Sequence, residues 1–204
     1  MITQIISPTQ TQVITNLLKE GKLVALPTDT VYGLACIANS EEAIHNLRVA
    51  KNRPDEKAFA YVVNSLEKIE SVCQLSDRDR ELINKHLPGP ITFIFNKKSN
   101  DVIVNESQLD TLAIRIPDHP LLLEVLAQME IGIYLPSANI SGQSPATDSG
   151  EVLNQLNQRI DAIVEGQSFN QIASTIIDAT GSTLKLLREG PIPLSAFTGE
   201  AHER

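Results

Sequence analysis

Two stretches in the first third of the chain carry the residues best suited to chemistry. Pro27-Thr28-Asp29-Thr30-Val31-Tyr32-Gly33-Leu34 follows directly on an apolar run at 23–26. Proline has no N–H for a β-ladder and closes that run. Two hydroxyls, a carboxylate and a tyrosine come next, and polar groups that dense at a strand end need partners. The second stretch, Lys51-Asn52-Arg53-Pro54-Asp55-Glu56-Lys57, places three cations within seven residues around a proline that blocks helix continuation. Splayed from a helix end, Lys51, Arg53 and Lys57 would form an anion receptor, joined by Arg188 from the last apolar run. Arg supplies a bidentate fork and Lys a point charge, a combination suited to a polyphosphate. From charge alone, a solvated helix end is the plainer account of Lys51 and Arg53.

Arg115 stands between Ile114 and Ile116, so burial would oblige it to find an anion. Asp29 or Asp118 would serve structurally, and a substrate carboxylate would serve functionally. Ser137-Ala138-Asn139-Ile140-Ser141-Gly142 follows another apolar run, the position at which open α/β sheets bind ligands. The same residue types are ordinary turn formers. Neither glycine-rich phosphate loop, G-x-x-x-x-G-K-[ST] or G-x-G-x-x-G, is present, so a phosphate site would be built from side chains. His45, His86, His119 and His202 show no metal-ligand spacing and read as structural or surface residues. The G-x-S-x-G elbow of serine hydrolases is absent too.

The elements that must position these groups read as interleaved helices and strands. Val13, Ile14, Leu17 and Leu18 predict a helix over 9–20, stopped by Gly21. Ser40 with Glu41 and Glu42 opens a helix through residue 50, and Ser65 opens a short one. Ser76-x-x-Asp79 and Asp148-x-x-Glu151 resemble capping boxes, and a further helix covers 121–129. Strands are expected at 23–26, 34–38, 58–63, 91–95, 102–104, 112–116, 131–135, 162–164, 175–178 and 184–187. The run at 91–95 reads as an apolar strand covered on both faces. Several connections are too short for helical crossovers, which predicts one α/β domain with a mixed sheet. Residues 1–194 form that domain and 195–204 a polar, frayed tail.

At 204 residues, 42% hydrophobic and without tryptophan, the chain can build a self-sufficient core. A net charge of −8 argues against broad phosphate-backbone binding and leaves room for a local cationic pocket. The two cysteines, Cys36 and Cys73, read as buried thiols in a reducing compartment. No apolar run reaches the ~20 residues of a membrane span, and the N-terminus lacks a signal peptide's charged and apolar regions. A soluble, cytoplasmic protein without membrane partners is expected.

Taken jointly, the segments resemble the YrdC-type threonylcarbamoyl-AMP synthase family. The resemblance rests on P-T-D-T-V-Y-G-L at 27–34, K-x-R at Lys51 and Arg53, and R-x-P-x-H-P at 115–120. S-x-N-x-S-G at 137–142, S-T-I-I-D at 174–178 and R-x-G at 188–190 complete the set in the family's order. It implies an open, twisted sheet with flanking helices around a concave pocket, without the extra C-terminal domain of longer relatives. It also implies a nucleotidyltransferase that makes threonylcarbamoyl-adenylate and pyrophosphate from ATP, L-threonine and bicarbonate. The product would pass to separate tRNA-modification machinery. By the same resemblance Lys51 and Arg53 are catalytic, and Arg53, Lys57, Thr111, Ser137, Asn139 and Arg188 bind ATP, accompanied by Mg²⁺. Thr30, Arg115 and Ser174 bind threonine, and no residue is assigned to a metal. Pro136 and Ala58 depart from the pattern, where relatives carry a hydroxyl residue and a proline. Three rivals remain: a YciO-like paralogue that binds nucleotide or double-stranded RNA without synthesis, a double-stranded RNA-binding module with weak RNA contact, and carbamoyl transfer to another acceptor.

Overall fold

Capped helices alternate with short apolar strands along the chain, and most of the caps are local. In the computed structural model, residues 2–54, 57–99, 102–104, 106–170, 172–197 and 202–203 are described. The chain runs β1 (Gln4–Ile6), α1 (Thr11–Lys19), β2 (Val24–Leu26), β3 (Gly33–Ile37), α2 (Glu41–Lys51) and β4 (Ala60–Val62). It continues through α3 (Leu66–Val72), α4 (Asp77–His86), β5 (Ile91–Asn96), β6 (Thr111–Arg115), α5 (Pro120–Ala127) and β7 (Ile133–Tyr134). The last elements are α6 (Ser149–Leu156), β8 (Ala162–Val164), β9 (Thr175–Asp178), β10 (Leu184–Arg188) and β11 (His202–Glu203).

The expected caps form. Ser40 accepts from the Ala43 N–H at 3.2 Å, and Ser76 and Asp79 close a reciprocal capping box. Asp148 caps α6, but the Glu151 carboxylate turns to the Thr147 N–H and hydroxyl instead of completing a box. Helix α2 stops at Asn52, which is left-handed at φ +49°, two residues before the proline expected to break it.

The strands form one mixed sheet in the order β1-β8-β2-β3-β7-β4-β6-β5-β9-β10-β11. Pairs β1–β8, β2–β8, β4–β6, β5–β9 and β10–β11 are parallel, and the others antiparallel. The single α/β domain with an open mixed sheet and flanking helices is therefore as expected. Among the described residues no helix is long and apolar enough to cross a membrane. Cys36 and Cys73 are both buried free thiols.

Period-two alternation decides what each face of the sheet does. Tyr61, Ile114, Phe93 and Ile177 point into the larger core, which also holds Leu47, Ile69, Leu82 and Val152 from α2, α3, α4 and α6. On the opposite face, Ile14, Leu18, Leu122 and Val125 of α1 and α5 bury Val24, Leu26, Ala35 and Ile133. Beyond β4 that second face carries Ala113, Arg115, Thr92 and Ile176, which line a cavity. The run at 91–95 is thus not apolar on both faces, because Thr92 looks into the cavity.

Three further differences have simple causes. β1 was not expected, since it is three residues long and only Ile6 is buried. The strand expected at 102–104 is absent; single bonds from Val104 N–H to Ala38 O (2.9 Å) and from the Tyr134 hydroxyl to Val104 O (2.6 Å) hold that segment. Packing also runs past residue 194. Leu194–Phe197 forms a 3₁₀ turn, and Phe197 is 0% exposed against His86 and Phe93, with ring centroids 4.7 and 6.4 Å away. The rest of the expected tail, 198–201 and 204, lies outside the described residues. Truncating Phe197 leaves a void that rigid strand neighbours cannot fill, so Phe197→Ala should cost about 3–5 kcal/mol. Urea unfolding with an unchanged m-value checks this, and a cost under about 1 kcal/mol would return Phe197 to the tail.

Candidate functional site

The cavity encloses about 220 Å³ and is walled by the loop after β2, the loop after α2, the ends of β6 and β10, and the entry to β9. Gly33 lets the first wall close: a Cβ there would lie 2.6 Å from the Leu135 side chain. Arg115 ends β6 on the cavity face. Its Nη2 donates to Asp29 Oδ1 at 2.5 Å, its Nη1 to Thr30 Oγ1 at 2.9 Å, and its Nε to Gly89 O at 3.3 Å. Asp118 is exposed, so Asp29 is the partner that Arg115 required. Three of the five guanidinium N–H groups are engaged; one on each terminal nitrogen remains for a ligand.

The other wall is a hydroxyl chain capped by a second arginine. Thr92 and Ser174 share a hydrogen bond at 2.8 Å. Arg188 donates from Nε to Ser174 O at 2.9 Å and from Nη2 to Ser174 Oγ at 3.1 Å. Arg53 forms the third corner, with Nη2 on Ala58 O at 2.8 Å and Nε on Lys57 O at 3.2 Å. Burial lowers the pKa of all three arginines, and the neighbouring Arg48 and Arg115 lower those of Arg53 and Arg188 further. Asp29 partly offsets the effect at Arg115. An anion entering the cavity would relieve this crowding of positive charge.

Lys51 takes a different place from the expected one. Instead of splaying into the loop it sits in the last turn of α2, 1% exposed, and does not line the cavity. Its Nζ donates to Ser137 O and, at 2.7 Å, to Asn139 O, while Ser141 N–H returns to Lys51 O at 2.8 Å. Burial, helped by Arg53, pushes the amine down to about 7. Asn139 is likewise turned inward. It accepts from Ser137 Oγ at 2.5 Å and donates to Ile140 O and Gln143 O. Lys51 and Asn139 thus shape the 137–142 loop from behind, and Ser137 alone of the three reaches the cavity wall.

Of the remaining expected residues, Thr30, Arg53, Arg115, Ser174 and Arg188 are brought together in the wall. Lys57 is exposed on the loop next to Arg53. Thr111 is outside the lining, yet two residues from Ala113 on the same face of β6, where it extends the wall outward. Thr92 was missed; its signal is a lone hydroxyl within an apolar strand. Thr28, to which the sequence assigns no role, organises the first loop by donating to Val31 O and accepting from Thr30 N–H.

The Sua5/YciO/YrdC family, described as "Telomere recombination", matches residues 16–190. A threonylcarbamoyl-AMP synthase of Pyrococcus abyssi is 36% identical over 179 residues, 87% of this chain and 53% of that protein. One from Photobacterium profundum is 31% identical over 183 residues, 88% of this chain and 98% of that protein. The structure of P. abyssi Sua5 complexed with L-threonine superposes with a TM-score of 0.91 at 31% identity, covering 100% of this chain and 63% of that one. The chain therefore spans about half the length of its archaeal relative. It belongs to the Sua5/YciO/YrdC family.

Proposed function

We propose that the chain is an L-threonylcarbamoyl-adenylate synthase, using ATP, L-threonine and bicarbonate and releasing pyrophosphate. The observation that carries this reading is the convergence of Arg53, Arg115 and Arg188 on one cavity whose lining, among the described residues, holds no carboxylate; Asp29 sits behind it, paired with Arg115. Relatives along most of the chain are named threonylcarbamoyl-AMP synthase, which supports the choice of reaction.

Pockets that enclose a drug-sized ligand run to roughly 300–1,000 Å³, so about 220 Å³ suits an amino acid and the reacting phosphate. Threonine would sit with its carboxylate on the two remaining Arg115 donors and its polar groups near Thr30 and Ser174. Arg53 and Arg188 would hold phosphate oxygens, with Lys57 reaching in from the loop. The rest of the nucleotide would run out over β6 toward Thr111, beside Ser137 and the loop that Lys51 and Asn139 support. The threonine amine adds to CO₂ derived from bicarbonate, and the carbamate oxygen attacks the α-phosphorus as pyrophosphate leaves. Such a transfer needs little covalent help; the chain positions the reactants and neutralises charge.

Among the described residues no group of three or more His, Cys, Asp or Glu could hold a metal, and Asp29 is engaged by Arg115. Mg²⁺ would therefore travel with the ATP, held by phosphate oxygens and water. The adenylate would pass to separate transfer machinery acting on tRNA.

Pyrophosphate release should require threonine and bicarbonate together, measured by omitting each in turn. Release indifferent to threonine would favour a nucleotide-binding paralogue instead. Arg53→Ala should lower the rate by roughly 10²–10³ with the fold intact, the usual cost of a lost preorganised charge contact. Retention of most of the rate would remove Arg53 from the phosphates.

Lys51 gives a pH signature. Unfolded, its amine titrates near 10.4, whereas in the fold burial brings it to about 7. Between those values the unfolded chain holds a proton that the native chain has released, so stability rises with pH across this window. The burial penalty is complete below about 7. Relative to Lys51→Met, the wild type should gain unfolding free energy from pH 6.5 to 9 in urea titrations. Parallel curves would place the Lys51 pKa back near its ordinary value.

A further inference from the structure

Arg48 lies on the buried side of α2 and Glu106 precedes β6; neither lines the cavity. They nevertheless form an ion pair, with side chains 9% and 3% exposed. Burying two charges is costly, and a well-packed apolar pair often stabilises a fold as well or better. The pair is therefore poorly explained by stability, and its remaining contacts show what else it does. Arg48 Nη1 donates to Pro54 O at 2.8 Å and to Lys57 O at 3.3 Å. Glu106 Oε1 accepts from the Phe59 N–H at 2.8 Å. The two side chains thus grip both ends of the loop that carries Arg53. That loop in turn directs Arg53, whose N–H meets Arg48 O at 3.0 Å and whose guanidinium rests on Lys57 O and Ala58 O. Both arginines also lie over the Phe59 ring, 4.5 and 5.0 Å from its centroid.

We propose that Arg48 and Glu106 are positioning residues for nucleotide binding: their ion pair latches the loop after α2 so that Arg53 faces the phosphate position. Arg53 keeps three of its five N–H groups for that purpose, since Nε and one Nη2 hydrogen are held by the loop. The inference rests on the ATP reading above and adds the element that sets nucleotide affinity.

The test separates latch from scaffold. Arg48→Met and Glu106→Gln each strand a charge or its partner, and both should lower the melting temperature. The double variant Arg48→Met/Glu106→Gln removes both charges, keeps an acceptor for the Phe59 N–H, and should melt close to wild type. Its equilibrium Kd for ATP should still weaken by about tenfold or more, while the Kd for threonine changes by less than about twofold, a split that a purely structural role would not produce. A double variant with wild-type melting and wild-type ATP affinity would overturn the proposal. So would equal weakening for ATP and threonine. Because binding is read directly, a wild type that bound ATP yet released no pyrophosphate would sink the synthase reading and leave the latch to be judged on its ATP Kd.

Discussion

The contact on which the site depends is the buried pair between Arg115 and Asp29. Arg115 is 8% exposed and Asp29 3%, and the two stand 86 residues apart in the chain. A guanidinium brought that far from water needs a carboxylate; a carboxylate that deep needs donors. Each therefore fixes the other, and with them the loop after β2 is fixed against the end of β6. Thr30, Thr28 and Gly89 join through further hydrogen bonds, so this side of the cavity rests on one connected polar network. Breaking one member leaves its neighbours unpaired in a low-dielectric setting, where that cost is largest. The Arg115 charge survives because its partner is built in. Its direction toward the cavity survives because only three of its donors are engaged.

This network exists where it does because the sheet treats its two faces differently. On one face large side chains such as Phe93, Ile114 and Tyr61 meet helices across the full width of the core. On the other, the covering helices α1 and α5 reach only as far as Val62. The residues next in line, Ala60, Ala113 and Thr92, are small, so the uncovered strands leave a hollow instead of an apolar patch. Open α/β sheets often place ligands at loops beyond strand ends. Here the loops form the walls, and the strands themselves supply the floor.

Much of this was legible in the residues, and the pattern of what was not is physical. Caps at Ser40, Ser65 and Ser76 depend on groups three residues away, and they form as read. β1 depends on pairing with β8, more than 150 residues distant, and a three-residue run carries no local signal of that. Arg115 announced that it needed an anion, but only the sheet order could choose Asp29 over Asp118. Arg48 was passed over because a charged residue beside an apolar stripe normally faces water. Its partner Glu106 comes from a loop with no periodicity to read. Lys51 was identified as important and placed wrongly, since nothing in K-x-R says that the helix continues through its first member.

That misplacement bears on how the cations divide their work. If Lys51, Arg53 and Lys57 all pointed at a polyphosphate, the empty cavity would hold uncompensated charge at short range, and each would resist burial. The structure avoids this by turning Lys51 inward onto two backbone carbonyls, at a pKa of about 7, where it carries only part of a charge near neutrality. Arg48 is turned away from the cavity too and is neutralised by Glu106. Arg53 is left between them, its backbone tied to Arg48, crowded by no full ammonium at Lys51 and neutralised by no carboxylate in the cavity lining. The cations off the cavity thus do as much as those in it. They hold two loops in place and leave the Arg53 guanidinium directed at the cavity, beside Arg115 and Arg188.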